Sequence, residues 1–181
     1  MRVEMARATE QAVVPRTWAR KLFSFPDPVN EVSARLVAGG VVVMTALTIA
    51  LGLRWGTAVI AYGFVARVLT GPSLSPLGQL VTRVVTPRLG LAPRPVPGPP
   101  KRFAQAMGVA FSVTALVFAA LGSWGAAQVA LGLLASAALL ESAFGYCLGC
   151  TTFAVLIRAG LVPERVCERC HDIWAPVRGA A

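Results

Sequence analysis

The chain has 181 residues, of which 56% are hydrophobic and only 14% are charged, and its mean hydropathy is +0.67. Soluble domains contain about 45–50% apolar residues with glycine included, so this composition predicts a small integral membrane protein whose main partner is the lipid bilayer. The formal net charge is +9, but no basic stripe interleaved with aromatic residues is present, which argues against nucleic acid as a partner.

Residues 1–35 are expected to form a basic cytoplasmic tail. They contain no apolar run of about 7–15 residues, which a signal peptide would need. The turn-rich sequence FPDPVN near the end of this segment is expected to precede the first membrane helix.

Residues 36–146 predict an all-α membrane bundle. Four transmembrane helices are expected, at about residues 36–53, 57–70, 103–121 and 126–146. A crossing of about 30 Å needs roughly 17–25 helical residues, so the second segment is too short alone and must begin in the preceding turn or be completed by its neighbours. Small residues along the spans, such as Gly40 and Gly108, would let the helices approach closely in lipid.

Two polar stretches separate the second and third spans. Residues 71–90 place apolar side chains at spacings of three and four, which predicts a short cytoplasmic amphipathic helix lying on the membrane surface. Residues 91–102, LAPRPVPGPPKR, are rich in proline, and the expectation is an extended loop without helix.

Lysine and arginine are distributed unevenly among the predicted loops. The N-terminal side, the middle region and the C-terminal tail are rich in basic residues, whereas the first hairpin has only Arg54 and the second has none. Because basic loops remain on the cytoplasmic side, both termini and the middle loop are expected there. The expectation is therefore a multi-pass protein of the inner (plasma) membrane.

All four cysteines and the single histidine lie in residues 141–171. Cys147 and Cys150 form one Cys-x-x-Cys pair at the exit of the last predicted span. Cys167 and Cys170 form a second pair after sixteen intervening residues, and His171 follows directly. Residues 147–181 are therefore predicted to be a cytoplasmic, cysteine-containing region that carries the chemistry of the protein.

Two functional interpretations of these cysteines remain open. In the first, Cys147 and Cys150 are a catalytic dithiol that attacks a disulfide, persulfide or thiosulfonate. In the second, the four thiols bind a structural zinc ion, with His171 as a further candidate ligand, because the spacing of the pairs suits a tetrahedral zinc site. The alternative without chemistry is that both thiols of the first pair are inert packing residues.

Several other interpretations are disfavoured by the predicted location. CERCH matches the haem-attachment pattern, but that attachment takes place outside the cytoplasm, and cytosolic thiols are kept reduced, which argues against a permanent disulfide. No catalytic triad, phosphate-binding glycine loop or paired carboxylate motif identifies a conventional enzyme.

Glu141 lies inside the last apolar run, where an unpaired carboxylate would be unfavourable. Arg67 is expected at a similar depth in the second span, so the sequence predicts an intramembrane ion pair between the two. The functional alternative for Glu141 is a proton carrier or a permeation path. On a straight helix Glu141 would lie about 180° away from Cys150, which argues against direct cooperation between them.

Five segments carry a resemblance to a known family: FPDPVNEV, GPSLSPLGQLVTRVVTPRLG, PGPPKRFAQ, ESAFGYCLGC and VCERCHDI. On these segments the chain resembles the bacterial membrane-protein family called domain of unknown function 4395. The resemblance implies a four-span protein with a cysteine-bearing cytosolic end, and it brings no established activity. Members often accompany thioredoxin-like and rhodanese-like sulfurtransferase proteins, which favours thiol or sulfane-sulfur chemistry by association. The family pattern has Asn where this chain has His171.

Three functions follow as hypotheses. The leading one is thiol redox or sulfane-sulfur relay between the cysteines and a thioredoxin-like or rhodanese-like cytosolic protein. The second is a transporter or channel for a small sulfur species, with Arg67 and Glu141 lining its path. The third is a membrane scaffold whose tail contains a structural zinc site.

Overall fold

The computed structural model of the protein describes residues 25–90 and 92–162, and these residues are mostly helical. The helices are α1 (Glu31–Ala50), α2 (Gly56–Thr70), α3 (Pro76–Leu80), α4 (Thr86–Leu89), α5 (Gly98–Ala120), α6 (Trp124–Leu139) and α7 (Leu148–Arg158). Two π-helical turns continue the helices, Val81–Val85 between α3 and α4 and Leu140–Phe144 after α6. A two-residue strand, β1 (Val29–Asn30), pairs antiparallel with β2 (Pro95–Val96).

Four helices, α1, α2, α5 and α6, pack as a ring in which each contacts two neighbours. α1 lies against α2 and α6, and α5 lies against the same two helices on the other side. Their shared core consists of apolar side chains from all four helices, among them Val41, Phe64, Ala115 and Leu131. This arrangement corresponds to the four helical segments that the hydropathy pattern predicts.

Three of these helices are long and apolar enough to cross a membrane: Glu31–Ala50, Gly98–Ala120 and the continuous helix Trp124–Phe144. α2 has 15 residues and therefore extends about 22 Å at 1.5 Å per residue. That length is below the roughly 30 Å of a bilayer core, as the sequence indicates for this segment.

Glycines allow the close helix contacts that the small residues predict. A Cβ atom at Gly108 of α5 would lie 2.2 Å from the Phe64 ring of α2, and a Cβ at Gly40 of α1 would lie 2.7 Å from the Leu77 side chain. Both distances are below van der Waals contact, so each glycine makes room for a large apolar side chain on the facing element.

α5 begins at Gly98, within the stretch predicted to be a loop without helix. That prediction is wrong for residues 98–102. Proline lacks an N–H donor, but the first turn of a helix has no intrahelical partner for its N–H groups, and the fixed φ of proline suits that turn. Pro99 and Pro100 therefore start the helix, and this places Lys101 in its first turn, where the side chain is buried.

The stretch that follows α2 is helical over residues 76–89, as the spacing of its apolar side chains predicts, and it packs along α1. Leu77 of α3 contacts the middle of α1 at Gly40. Near α4 the Thr86 hydroxyl lies 3.0 Å from the Ser33 hydroxyl at the start of α1. The segment thus descends along α1 from its middle to its first turn, with Val81 buried and Leu80 52% exposed.

The described residues that precede α1, those that precede α5 and the start of α7 meet at one end of the ring. β1 before α1 pairs with β2 before α5, and the Gly98 amide donates to Asp27 Oδ1 at 3.1 Å. At the same end the Arg35 guanidinium donates to the Ser142 and Ala143 carbonyls at the end of the last ring helix, at 3.0–3.3 Å. We call this region, which holds β1, β2 and the start of α7, the strand end of the bundle.

Candidate functional site

The first cysteine pair lies at a sharp break after the last ring helix. The π-helical turn that extends α6 ends at Gly145, which has a left-handed φ of +70°. Cys147 is extended and is the N-cap of α7, and its Sγ accepts the backbone N–H of Cys150 at 3.4 Å. The sequence CLGC therefore places one thiol at the helix N-terminus and the second in the first turn.

α7 is held in place by close contact with α5. A Cβ at Gly149 would lie 2.5 Å from the Ala104 Cα atom, so the absence of a side chain at Gly149 lets the two backbones approach. One turn further along, the Phe153 ring packs on Phe103 with centroids 5.5 Å apart. α7 ends at Arg158, and Gly160 follows with a φ of +71°.

Both thiols are free and nearly covered, with Cys147 4% exposed and Cys150 7% exposed. They line a cavity of about 40 Å³ at the strand end, together with Lys101, Glu31 and Gly145. A water molecule needs roughly 10–15 Å³ of such space. The cavity therefore admits only a small molecule or the tip of a side chain to the thiols.

Lys101 is the charged group that connects the thiols to the buried acid. Its Nζ lies 2.7 Å from Glu141 Oε1, and both side chains are largely shielded from solvent. The same lysine lines the cysteine cavity. A cation beside a thiol favours the thiolate, so Lys101 belongs to the candidate site, although the sequence did not single it out.

The two cysteines differ in acidity because they share a hydrogen bond. The Cys150 thiol donates to the Cys147 sulfur, which holds the pKa of Cys147 below its usual value, and the Cys150 backbone N–H and Lys101 act in the same direction. Donating that hydrogen bond raises the pKa of Cys150, and burial raises it further. The Cys147 thiol therefore ionises more readily than the Cys150 thiol.

The predicted ion pair between Arg67 and Glu141 is wrong. Glu141 is paired with Lys101 instead, because the early start of α5 turns Lys101 inward at the level of the π-helical turn. The Arg67 guanidinium lies over the Phe64 ring at 4.3 Å, and its Nε and Nη1 atoms are buried without a hydrogen-bond partner in the described part of the chain.

The prediction that Glu141 and Cys150 lie on opposite faces also needs correction, because it assumed one straight helix. The chain breaks at Gly145 and restarts at α7. Glu141 and the thiols consequently act on the same lysine, and the charge of Glu141 raises the pKa of both cysteines.

The second cysteine pair and the histidine, Cys167, Cys170 and His171, lie outside the described residues. Within residues 25–90 and 92–162 no group of three or more His, Cys, Asp or Glu side chains could hold a metal ion. The predicted zinc site draws its remaining ligands from beyond these ranges, so it stays a prediction.

The geometry of the described residues defines the class of protein: a helical bundle with membrane-spanning helices. Four helices form a ring, three of them have membrane-spanning length, and a buried dithiol lies at one end. The family model described as domain of unknown function (DUF4395) matches residues 29–158. The chain belongs to this family, in agreement with the resemblance of its motifs. No curated protein and no solved structure matches the chain.

Proposed function

We propose that this is a bacterial inner-membrane protein whose Cys147–Cys150 dithiol exchanges thiol electrons or sulfane sulfur with a thioredoxin-like or rhodanese-like cytosolic partner. The observation that carries the proposal is the asymmetry of the pair. Cys147 Sγ sits at the N-terminus of α7, accepts from the Cys150 backbone and thiol, and has a lowered pKa, whereas Cys150 keeps its proton. Attacking thiols at helix N-termini commonly have this arrangement.

The proposed exchange has two balanced steps. The Cys147 thiolate attacks one sulfur of a partner disulfide, forming a mixed disulfide and releasing one partner thiolate, which takes up a proton. Cys150 then loses its proton and attacks Cys147 Sγ, releasing the second partner thiol. The protein is left with a Cys147–Cys150 disulfide, and the partner disulfide is reduced to two thiols.

The membrane placement forms part of the same proposal. Three helices have the length and apolarity to span a bilayer, and we propose that the shorter α2 is the fourth span, completed by the turn that precedes it. Arg35 and Arg94 lie at the strand end, and the N-terminal side, the middle loop and the C-terminal tail are rich in basic residues. The positive-inside rule therefore favours a cytosolic location for this end and for both termini.

A trapping experiment tests the proposal in cells. In a background with Cys167→Ser and Cys170→Ser, a tagged Cys150→Ser variant should accumulate a mixed disulfide because the resolving thiol is missing. The matched Cys147→Ser variant should accumulate none, since it lacks the nucleophile. Non-reducing gels after acid quenching, followed by mass spectrometry of the adduct, give the readout.

Two other outcomes would contradict the proposal. Equal trapping by the two variants would show that the described asymmetry does not direct the chemistry. In the purified unaltered protein, which keeps all four cysteines, a zinc content of about one per chain that protects Cys147 and Cys150 from alkylation would favour the scaffold with a structural zinc site instead. Incubation of the reduced Cys150→Ser variant with oxidised glutathione is the direct chemical control, because it should yield a glutathione adduct on Cys147.

A further inference from the structure

Arg67 is a buried cation for which the described residues provide no counter-ion contact. The residue is 5% exposed, and its Nε and Nη1 atoms have no hydrogen-bond partner there. The nearby carboxylate, Glu141, is bound by Lys101 at 2.7 Å. A buried guanidinium without paired acceptors is strongly unfavourable, which indicates that another acceptor binds there.

The contact of Arg67 with an aromatic ring is compatible with an acceptor at the edge of its guanidinium. The guanidinium carbon lies over the Phe64 ring, 4.3 Å from the ring centroid. Stacking on an aromatic ring occupies the face of the group but leaves the N–H bonds in its plane free. Those N–H donors match the spacing of two oxygens of a carboxylate, phosphate or sulfate group.

A cavity of about 210 Å³ adjoins Arg67, separate from the smaller cavity at the cysteines. Among the described residues, its wall includes two cations, Arg67 and Lys101, and no acidic side chain. Polar groups from other elements complete it, including Ser33, Thr82 and Gln105, whose Oε1 is likewise buried without a partner. Because Glu141 pairs with Lys101, Arg67 is the cation of this wall for which the described residues provide no carboxylate contact.

We propose that this cavity is a binding site for a tetrahedral oxyanion of the phosphate or sulfate class, held by the edge of the Arg67 guanidinium. The ion is either free in the cytosol or the phosphate of an anionic lipid headgroup, since both present the same oxygens. The volume is many times the roughly 10–15 Å³ that a water requires, which leaves room for such a group. The proposed site uses no cysteine, although Lys101 lines both this cavity and the one at the thiols.

The test measures binding to the full-length protein purified in a neutral detergent. Sulfate, thiosulfate and phosphate are titrated at constant ionic strength against chloride, with the thermal unfolding midpoint as the readout. Bound ligand stabilises the folded state as its concentration exceeds the dissociation constant. In parallel, lipid extraction and mass spectrometry identify phospholipid that remains with the protein.

Three variants make the outcome specific. Arg67→Gln should weaken oxyanion binding about tenfold to hundredfold, as expected for the loss of charge-assisted hydrogen bonds, or release the bound lipid. Arg83→Gln changes an exposed arginine and should bind like the unaltered protein. If Arg67→Gln does not fold, Ala34→Leu decides, because residue 34 lines the cavity and is half-buried, so the larger side chain fills the space and leaves Arg67 in place.

If free oxyanion raises the unfolding midpoint of the unaltered protein, and both Arg67→Gln and Ala34→Leu abolish this effect, the site binds a soluble ion. If phospholipid remains with the unaltered protein and the same two substitutions remove it, the site binds a lipid headgroup. Equal binding by the unaltered protein and Ala34→Leu overturns the proposal, and so does the absence of both oxyanion stabilisation and bound phospholipid. Trapping of the mixed disulfide on Cys147 is unaffected by any of these results, so the two proposals stand or fall separately.

Discussion

Lys101 and Arg102 are adjacent basic residues that the fold uses in opposite ways. Lys101 is buried and pairs with Glu141 at 2.7 Å, whereas Arg102 is exposed and donates to the Val68 carbonyl at 3.2 Å. The difference depends on helical phase, because successive residues of a helix point about 100° apart. The sequence shows a basic pair before an apolar run. The helical phase of this pair is set by the start of α5 at Gly98, and the proline-rich composition of residues 91–102 does not predict a helix that begins there.

Replacing Lys101 with Met should destabilise the protein by about 3–5 kcal/mol, because it leaves the Glu141 carboxylate buried without its partner. The double variant Lys101→Met/Glu141→Gln should recover much of this loss, since the amide carries no charge. Thermal or denaturant unfolding in detergent measures the coupling as a double-mutant cycle. Additive effects of the two substitutions would contradict the ion pair.

At the scale of elements, the break between the last ring helix and α7 decides how the site is built. The apolar pattern through ESAFGYC is compatible with an uninterrupted helix, and an isolated glycine is tolerated in helices at a modest cost. The left-handed φ of Gly145 and the packing of Gly149 on Ala104 both depend on other segments. The cysteine pair, the helix at α7 and the turn at Gly160 could thus be predicted from the sequence, but their placement beside Lys101 could not.

Replacing Gly149 with Ala should destabilise the docking of α7 by about 1–3 kcal/mol, the usual range for an overpacked contact. The added methyl group would lie 2.5 Å from backbone and side-chain atoms of Ala104, which cannot rotate away. The expected results are a lower unfolding midpoint and faster alkylation of Cys147 and Cys150 as α7 separates from α5.

Gly132→Ala is the matched control for this prediction. Gly132 is in the middle of α6, and a Cβ there would meet no atom within 4 Å. Alanine is favoured over glycine inside helices by about 1 kcal/mol, so this variant should be neutral or slightly stabilised. Equal behaviour of the two variants would argue against the close contact between α7 and α5.

At the scale of the whole molecule, the pairing of β1 with β2 joins segments that are more than sixty residues apart in the sequence. The hydropathy pattern predicts the four helices and their approximate bounds. A helix needs apolar side chains whether they face the lipid or the core of the bundle. The order in which the helices contact one another depends on which glycines face which large side chains, and a single sequence does not specify those partners.

The two ends of the ring should lie on opposite sides of the membrane. In a variant whose four cysteines are replaced by serine, Ala92→Cys places a thiol next to β2, and Ser123→Cys places one in the hairpin between α5 and α6; both positions are exposed. After the outer membrane or cell wall has been removed, an impermeant maleimide applied to cells with an intact inner membrane should label Ser123→Cys only. Ala92→Cys should react after the inner membrane is permeabilised.

The reverse labelling pattern would place the strand end outside the cytosol and remove the reducing partners on which the proposed exchange depends. Labelling of both positions in intact cells would contradict a spanning arrangement altogether. Either result would leave the packing of the helices unchanged, since that packing is a property of the bundle itself.

The dithiol site takes Lys101 from the third ring helix, Glu141 from the end of the fourth and both thiols from the segment that follows. A ribosome makes these segments in that order. The sulfur atoms therefore leave the exit tunnel after every ring helix has been synthesised, so a chain that terminates before residue 147 carries neither thiol into the cell. Assembly order by itself thus limits the exposure of these reactive groups to oxidants and to stray metal ions.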